Sequence, residues 1–223
     1  MDWNAILVSV KETVLMTIIS SVSAYLVGVP LGVLLHVTSK NGIHPNRFIN
    51  LVLGLLVNIL RSVPCLILVV LCMPWVRAWF GVASGEWYTM IIPLFMASFA
   101  FVARMVEQSI SEVDLGEVDA VRSMGATDWQ LVTKVLLPEA FPSLISGFAV
   151  SSVSILGYTS FAYNIGAGGL ISDIWQYYAR HTGDFTTSLF FWLMIVMVVI
   201  IVQVIQELGL FISRKVDKRR KLK

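Results

Sequence analysis

The chain has 223 residues, of which 57% are hydrophobic and 13% charged, with a net charge of +2 and a mean hydropathy of +0.81. Soluble globular domains carry roughly 25% charged residues, so the composition excludes an ordinary soluble enzyme and describes a bilayer protein. Two cysteines cannot build a disulfide framework, and no nucleic-acid partner is expected.

A membrane-crossing helix needs about 20 apolar residues. Charge-free runs of that length cover 13–39, 140–172 and 185–206. Two further runs are shorter or interrupted: 48–76 contains Arg61, and 87–103 reaches full length only with Arg104 at the membrane edge. The sequence therefore predicts an all-α membrane protein with five transmembrane helices. Residues 1–12 lack a basic start and the first apolar run is too long for a signal peptide, so that helix is expected to stay in the membrane. Within it, Gly28-Val29-Pro30-Leu31-Gly32 combines a missing helical donor with small residues that suit close helix packing.

The second run carries Arg61-Ser62-Val63-Pro64. Pro64 deprives the Leu60 carbonyl of its helical donor, so Arg61 either caps a local break or attracts a substrate carboxylate. Cys65 and Cys72 lie seven apart on one face and read as small hydrophobes. His36, His44 and His181 are scattered, so no metal site is expected.

Residues 112–138 read as two short helices joined at Gly125-Ala126. Asp114 with Glu117, and Thr127 with Gln130, have the spacing of two capping boxes. Gly125 stands where a left-handed C-cap is needed. Val118, Val121 and Met124 repeat on one side of the first helix while Glu117, Asp119 and Arg122 stay polar, and Pro138 is expected to stop the second helix. The product is an amphipathic elbow outside the bilayer.

The fourth run ends in Gly157-Tyr158-Thr159-Ser160-Phe161-Ala162-Tyr163-Asn164-Ile165 and then Gly166-Ala167-Gly168-Gly169. Each glycine costs about 1 kcal/mol relative to alanine in a helix, so the span is expected to stop there. Tyr158, Phe161, Tyr163 and Asn164 are candidates for a pathway or gate, with aromatic filling of an interhelical gap as the plain alternative. Seven of the 16 Lys and Arg residues lie after Ile212. The positive-inside rule then places the C-terminus in the cytoplasm, together with the elbow, Lys40 and Arg47, and the N-terminus outside. Residues 214–223 form a basic cytoplasmic tail after a transmembrane domain over 1–213.

Asp119-Ala120-Val121, Gly125-Ala126 and Leu136-Leu137-Pro138 together resemble the EAA loop of ATP-binding-cassette importer permeases, with Asp119 where that family usually has Glu. Arg61-Ser62-Val63-Pro64, Gly157-Tyr158 and the Gly-Ala-Gly-Gly-Leu run are similar to methionine importer permeases, which usually place a methionine where Phe161 stands. The resemblance implies a type I importer permease of the bacterial cytoplasmic membrane, paired as a homodimer. It further implies two copies of an ATPase subunit, which hold ATP and Mg and dock on the elbow through Glu117, Asp119, Ala120, Arg122, Met124, Gly125 and Ala126, and an extracytoplasmic solute-binding protein. The chain has no phosphate-binding loop and no catalytic constellation, so no cofactor and no enzymatic activity are expected of it. Methionine or a related amino acid is the implied cargo. Another amino acid, a short peptide or a small sulfur compound fits the same architecture. A secondary transporter would want carboxylates inside the spans, and neither it nor a membrane scaffold explains the elbow.

Overall fold

The computed structural model describes residues 3–181 and 188–217. Four stretches are long and apolar enough to cross a membrane: α1 (Trp3–Thr38); a 3₁₀ turn (Trp87–Met90) with α4 (Ile91–Ser111); the stretch Asp128–Ile165; and α9 (Leu189–Val216). The pair α2 (Arg47–Ser62) and α3 (Cys65–Phe80) is long and apolar enough when taken together but is bent by 104°, and it makes a fifth crossing if it counts as one broken span. The five expected from hydropathy are reached with the bent pair counted as one span, and the helix boundaries differ from those expected.

The first helix begins at Trp3, ten residues before the charge-free run, and takes in Lys11 and Glu12. At 1.5 Å per residue its 36 residues reach about 54 Å, well beyond a hydrocarbon core of about 30 Å, which leaves room for its charged turn outside the apolar layer. Pro30 sits inside it without ending it. The neighbouring glycines explain the packing: a Cβ at Gly28 would stand 2.6 Å from Val102 Cγ1, and one at Gly32 2.5 Å from the Ala103 carbonyl oxygen. Only a bare backbone lets α1 lie this close to α4. Ala24, Ala100, Val102, Ala103 and Val106 line the contact, all fully buried.

The second crossing is broken rather than continuous. Val63 and Pro64 take extended backbone angles, ψ 122° and 139°, as expected for a residue preceding proline and for the proline itself. The third crossing runs past Arg104 to Ser111, two turns further than the apolar run. The fourth is the largest departure. Pro138 does not stop a helix: α6 (Asp128–Leu131), a π turn (Val132–Leu136) and α7 (Leu137–Tyr158) run without interruption, with Pro138 in the first turn of α7. In the π turn the Leu137 N–H reaches back five residues to the Val132 carbonyl. That shift of the ladder accommodates the proline's missing donor without breaking the helix. Downstream, α7 passes into a 3₁₀ stretch (Thr159–Ile165) and ends at the glycines, where Gly166, Gly168 and Gly169 have φ of 63°, 76° and 86°. A short α8 (Leu170–Arg180) follows.

The start of the fifth apolar run, at Phe185, lies outside the described residues. Its helix is in place from Leu189 and continues through Arg214 and Lys215 to Val216, past the expected boundary at 213. The remaining tail, 218–223, also lies outside them. Cys65 and Cys72 are free thiols, and among the described residues no group of His, Cys, Asp and Glu could hold a metal.

Candidate functional site

The elbow forms as two capped helices joined by a left-handed glycine. Asp114 precedes α5 (Leu115–Ser123) and its carboxylate accepts from the Gly116 N–H at 2.8 Å. Among the described residues Glu117 makes no return bond, so this is a one-sided cap rather than the expected box. Thr127 does form the full box: its hydroxyl accepts from the Gln130 N–H at 3.3 Å, and the Gln130 side chain accepts from the Thr127 N–H at 2.9 Å. Between them Gly125 has φ 84° and donates to the Arg122 carbonyl at 3.0 Å. A side chain there would meet open space, so the requirement for glycine is conformational.

The faces of the elbow separate clearly. Val118 is buried and Val121 packs against the same core cluster. Met124, expected on that inner side, is instead 78% exposed, because α5 ends at Ser123 and the chain has already turned. Glu117, Asp119, Ala120, Arg122 and Gly125 are exposed and Ala126 is half-buried. Trp129, which the sequence reading passed over, is 76% exposed. Its signal was a tryptophan in a four-residue helix whose buried residue is Leu131. The exposed surface is therefore two apolar side chains, Met124 and Trp129, beside a mixed-charge stripe, a composition suited to docking a protein partner.

The elbow is tied to the bundle from below. His44, in the turn between α1 and α2, bonds the Asp128 carboxylate, and His36 at the end of α1 lies 3.2 Å from the Ser111 hydroxyl. The end of the bundle that carries the elbow is thus also the end that carries Lys40 and Arg47.

The residues expected to line a pathway are not brought into one cluster. Phe161 packs against a buried cluster that includes Met16, Val69 of α3, Met90, Leu94 and Ile155, which brings α3 together with the end of the fourth crossing. Tyr158 is about one-third exposed, and Tyr163 stacks on Trp175 of α8 with ring centroids 6.0 Å apart. The exposed Asn164 donates to the Phe161 carbonyl at 3.3 Å. Arg61 is exposed at the break, with its guanidinium 5.9 Å from the centre of the Phe101 ring. Among the described residues it makes no hydrogen bond to the Leu60 carbonyl. Its exposed charge has the Phe101 ring as a cation–π neighbour.

A bundle of four spans and a broken pair beside an exposed arginine, with a capped elbow standing off one end, has the form of a multi-pass transport permease. The chain belongs to the family described as the binding-protein-dependent transport system inner membrane component, whose model matches residues 28–218. It is 38% identical over 216 residues to the probable D-methionine transport system permease protein MetI of Vibrio cholerae, covering 97% of this chain and 94% of that one. Over 187 residues it is 38% identical to the methionine import system permease protein MetP of Bacillus subtilis, covering 83% and 82%. Among solved structures it is similar to a chain of the inward-facing MetNI methionine ABC transporter, with TM-score 0.90, 36% identity, and 98% and 100% of the two chains covered. An amino acid ABC transporter solved with histidines shares the fold at TM-score 0.74 and 18% identity, with 95% and 94% covered. The protein is a multi-pass inner-membrane permease of a binding-protein-dependent transport system.

Proposed function

We propose that this chain is the membrane subunit of an ATP-driven importer of methionine or a closely related amino acid. The observation that carries the cargo is similarity over 97% of the chain to permeases named for D-methionine; the observation that supports ATP coupling is the exposed elbow. In this reading two copies of the chain pair across the pathway and two copies of a separate ATPase subunit bind and hydrolyse ATP with Mg. Each ATPase docks on an elbow through Met124 and Trp129, with Glu117, Asp119 and Arg122 setting orientation by charge and Ala120 and Ala126 allowing close approach. A binding protein delivers solute from the outer side. The basic residues Lys40, Arg47, Arg214 and Lys215 favour a cytoplasmic C-terminus and elbow and an outer N-terminus.

Inside the bundle Arg61 meets the solute carboxylate near the break, Tyr158, Tyr163 and Asn164 offer polar and aromatic contacts, and Phe161 obstructs the path until α3 and the 3₁₀ stretch separate. Closure of the ATPases moves the elbows, and the helices continuous with them carry the movement inward. The fourth crossing is well suited to this, because α6, the π turn and α7 form one uninterrupted element from the elbow to Tyr158.

The test is uptake of radiolabelled methionine by proteoliposomes holding this chain, its ATPase and its binding protein. ATP-dependent accumulation is expected. ATP hydrolysis stimulated by the binding protein with no methionine uptake would reject the cargo and keep the class. Absence of any complex with an ATPase subunit would reject both.

A further inference from the structure

An arginine within a membrane crossing is costly unless it is paired and hydrogen-bonded, and Arg104 of α4 is both. Its Nη1 donates to Glu107 Oε2 at 2.7 Å, one turn along the same helix. Its Nη2 donates across to α2, to the Gly54 carbonyl and to Asn58 Oδ1, each at 3.1 Å. Gly54 is buried, and a Cβ there would lie 3.1 Å from the same Nη2, so the small residue keeps the carbonyl within reach of the guanidinium. One turn earlier on α4, Phe101 lies under Arg61, the penultimate residue of α2 before the break. The residues 101 and 104 of α4 therefore hold the last two turns of α2 at two points.

The mechanical context gives these contacts a consequence. Arg104 stands seven residues before the end of α4, about 10 Å along the axis, and only three residues then separate α4 from α5 of the elbow. On the other side, α2 ends at the 104° bend. We propose that Arg104 is a positioning residue for transport: with Asn58 and Gly54 it latches α2 to α4, so that displacement of the elbow end of α4 moves the half-crossing that carries Arg61 instead of sliding past it. Glu107 neutralises the guanidinium and fixes its rotamer, leaving the second nitrogen aimed at α2. A bidentate, planar donor is suited to this and a lysine is not, because one ammonium cannot hold the carboxylate and both α2 acceptors with the same geometry.

The inference rests on the importer reading, and the experiment separates the two. Spin labels at Leu55 of α2 and Gln108 of α4, both exposed, are placed in a background with Cys65→Ala and Cys72→Ala, in the full complex. The variants are the charge-neutral pair Arg104→Gln with Glu107→Gln, the milder Asn58→Ala, and Arg104→Lys. The expected result is a narrow α2–α4 distance distribution in the parent that broadens in the neutral pair. Solute moved per ATP should fall by about fivefold or more, the scale of a lost charged hydrogen bond, with a smaller loss for Asn58→Ala and partial recovery for Arg104→Lys. A purely structural role would lower the amount of complex and scale uptake and hydrolysis together. An unchanged distance distribution in the neutral pair and in Asn58→Ala, with an unchanged uptake-to-hydrolysis ratio, would overturn the latch. If the parent complex takes up no methionine the cargo reading falls, and the distance measurement alone upholds or overturns the latch.

Discussion

The elbow and the glycine turn after the fourth crossing both reverse the chain with left-handed glycines, yet they are held by different means. At the elbow the caps are local: Asp114 and Thr127 accept from N–H groups two and three residues ahead. At the glycine turn the N-cap of α8 is Gly169, which has no side chain to offer, and the first helix supplies the cap from 157 residues away. Glu12 accepts from the Gly169 N–H at 2.9 Å and Thr13 from the Leu170 N–H at 2.8 Å, while Ser9 bonds Asp173 in the first turn of α8. A locally capped reversal keeps its shape while it moves. A reversal capped by another helix keeps its shape only while that helix stays in register. In the proposed coupling, this difference suits an elbow that transmits movement at one end of the bundle and a turn that holds still at the other.

The largest test of the contrast is Gly125→Val. Forcing a β-branched residue to φ 84° costs about 1–3 kcal/mol, and the strain falls on the elbow alone. Membrane insertion should be normal while ATP-dependent uptake drops at least about tenfold, the factor that 1.4 kcal/mol represents; wild-type uptake would remove the elbow from the coupling path. Next is Thr13→Val, which leaves the buried Leu170 N–H without an acceptor at a cost of about 1–3 kcal/mol. Hydrogen exchange in α8 should quicken although the substitution is in α1, with exchange in α5 unaffected. Equal change in both helices would show that the two reversals are not independent.

A smaller effect is expected from pH. Burial raises the Asp173 carboxyl above its ordinary value, opposed by the Ser9 hydrogen bond and the charge of Arg180. A raised acid favours the folded state in its neutral form, so its contribution is complete below the usual carboxylate value of about 3.9 and is lost as pH rises past it. Asp173→Asn should therefore flatten the fall of thermal stability on the alkaline side of that value; a pH profile identical to the parent's would show that Asp173 is not responsible for it. Smallest is Asp128→Asn, which removes the pair with His44. Both side chains are substantially exposed, 66% for His44 and 45% for Asp128, and such pairs contribute about 0–1 kcal/mol. Thermal unfolding of the complex should shift by no more than a few degrees, and a larger loss would mean that the α1–α2 turn carries more of the elbow's support than its exposure suggests.

The legible parts of this molecule share one property. The capping box at Thr127, the left-handed Gly125, the halt at Gly166 to Gly169 and the small-residue face at Gly28 and Gly32 each depend on residues a few positions apart, and each is found where the sequence placed it. Two local signals also fail, the box at Asp114 and the stop at Pro138, and other features lie beyond the reach of neighbouring residues. Met124 was assigned to the inner stripe by extending a period past the point where α5 ends. The partners of Arg104 on α2, Gly54 and Asn58, are not legible from its neighbours because they lie about 50 residues upstream. Trp129 was overlooked because exposure is not a property of a residue's immediate neighbours.

Hydropathy and charge by themselves determined that the chain crosses a bilayer about five times, because the transfer of apolar groups from water depends on the composition of a segment and little on what surrounds it. Cap and turn chemistry determined the elbow in the same way. Only the tertiary structure decided how each proline is resolved. Pro64 stands at a break with a 104° bend, whereas the helical stretch runs through Pro138 without a break, although both remove one helical donor. The missing bond can be absorbed by a π turn or released as a break, two outcomes close enough in energy that packing against neighbouring helices selects between them. The same packing set which carbonyls Arg104 reaches and which helix caps α8, since contacts between residues distant in sequence exist only once the helices are side by side.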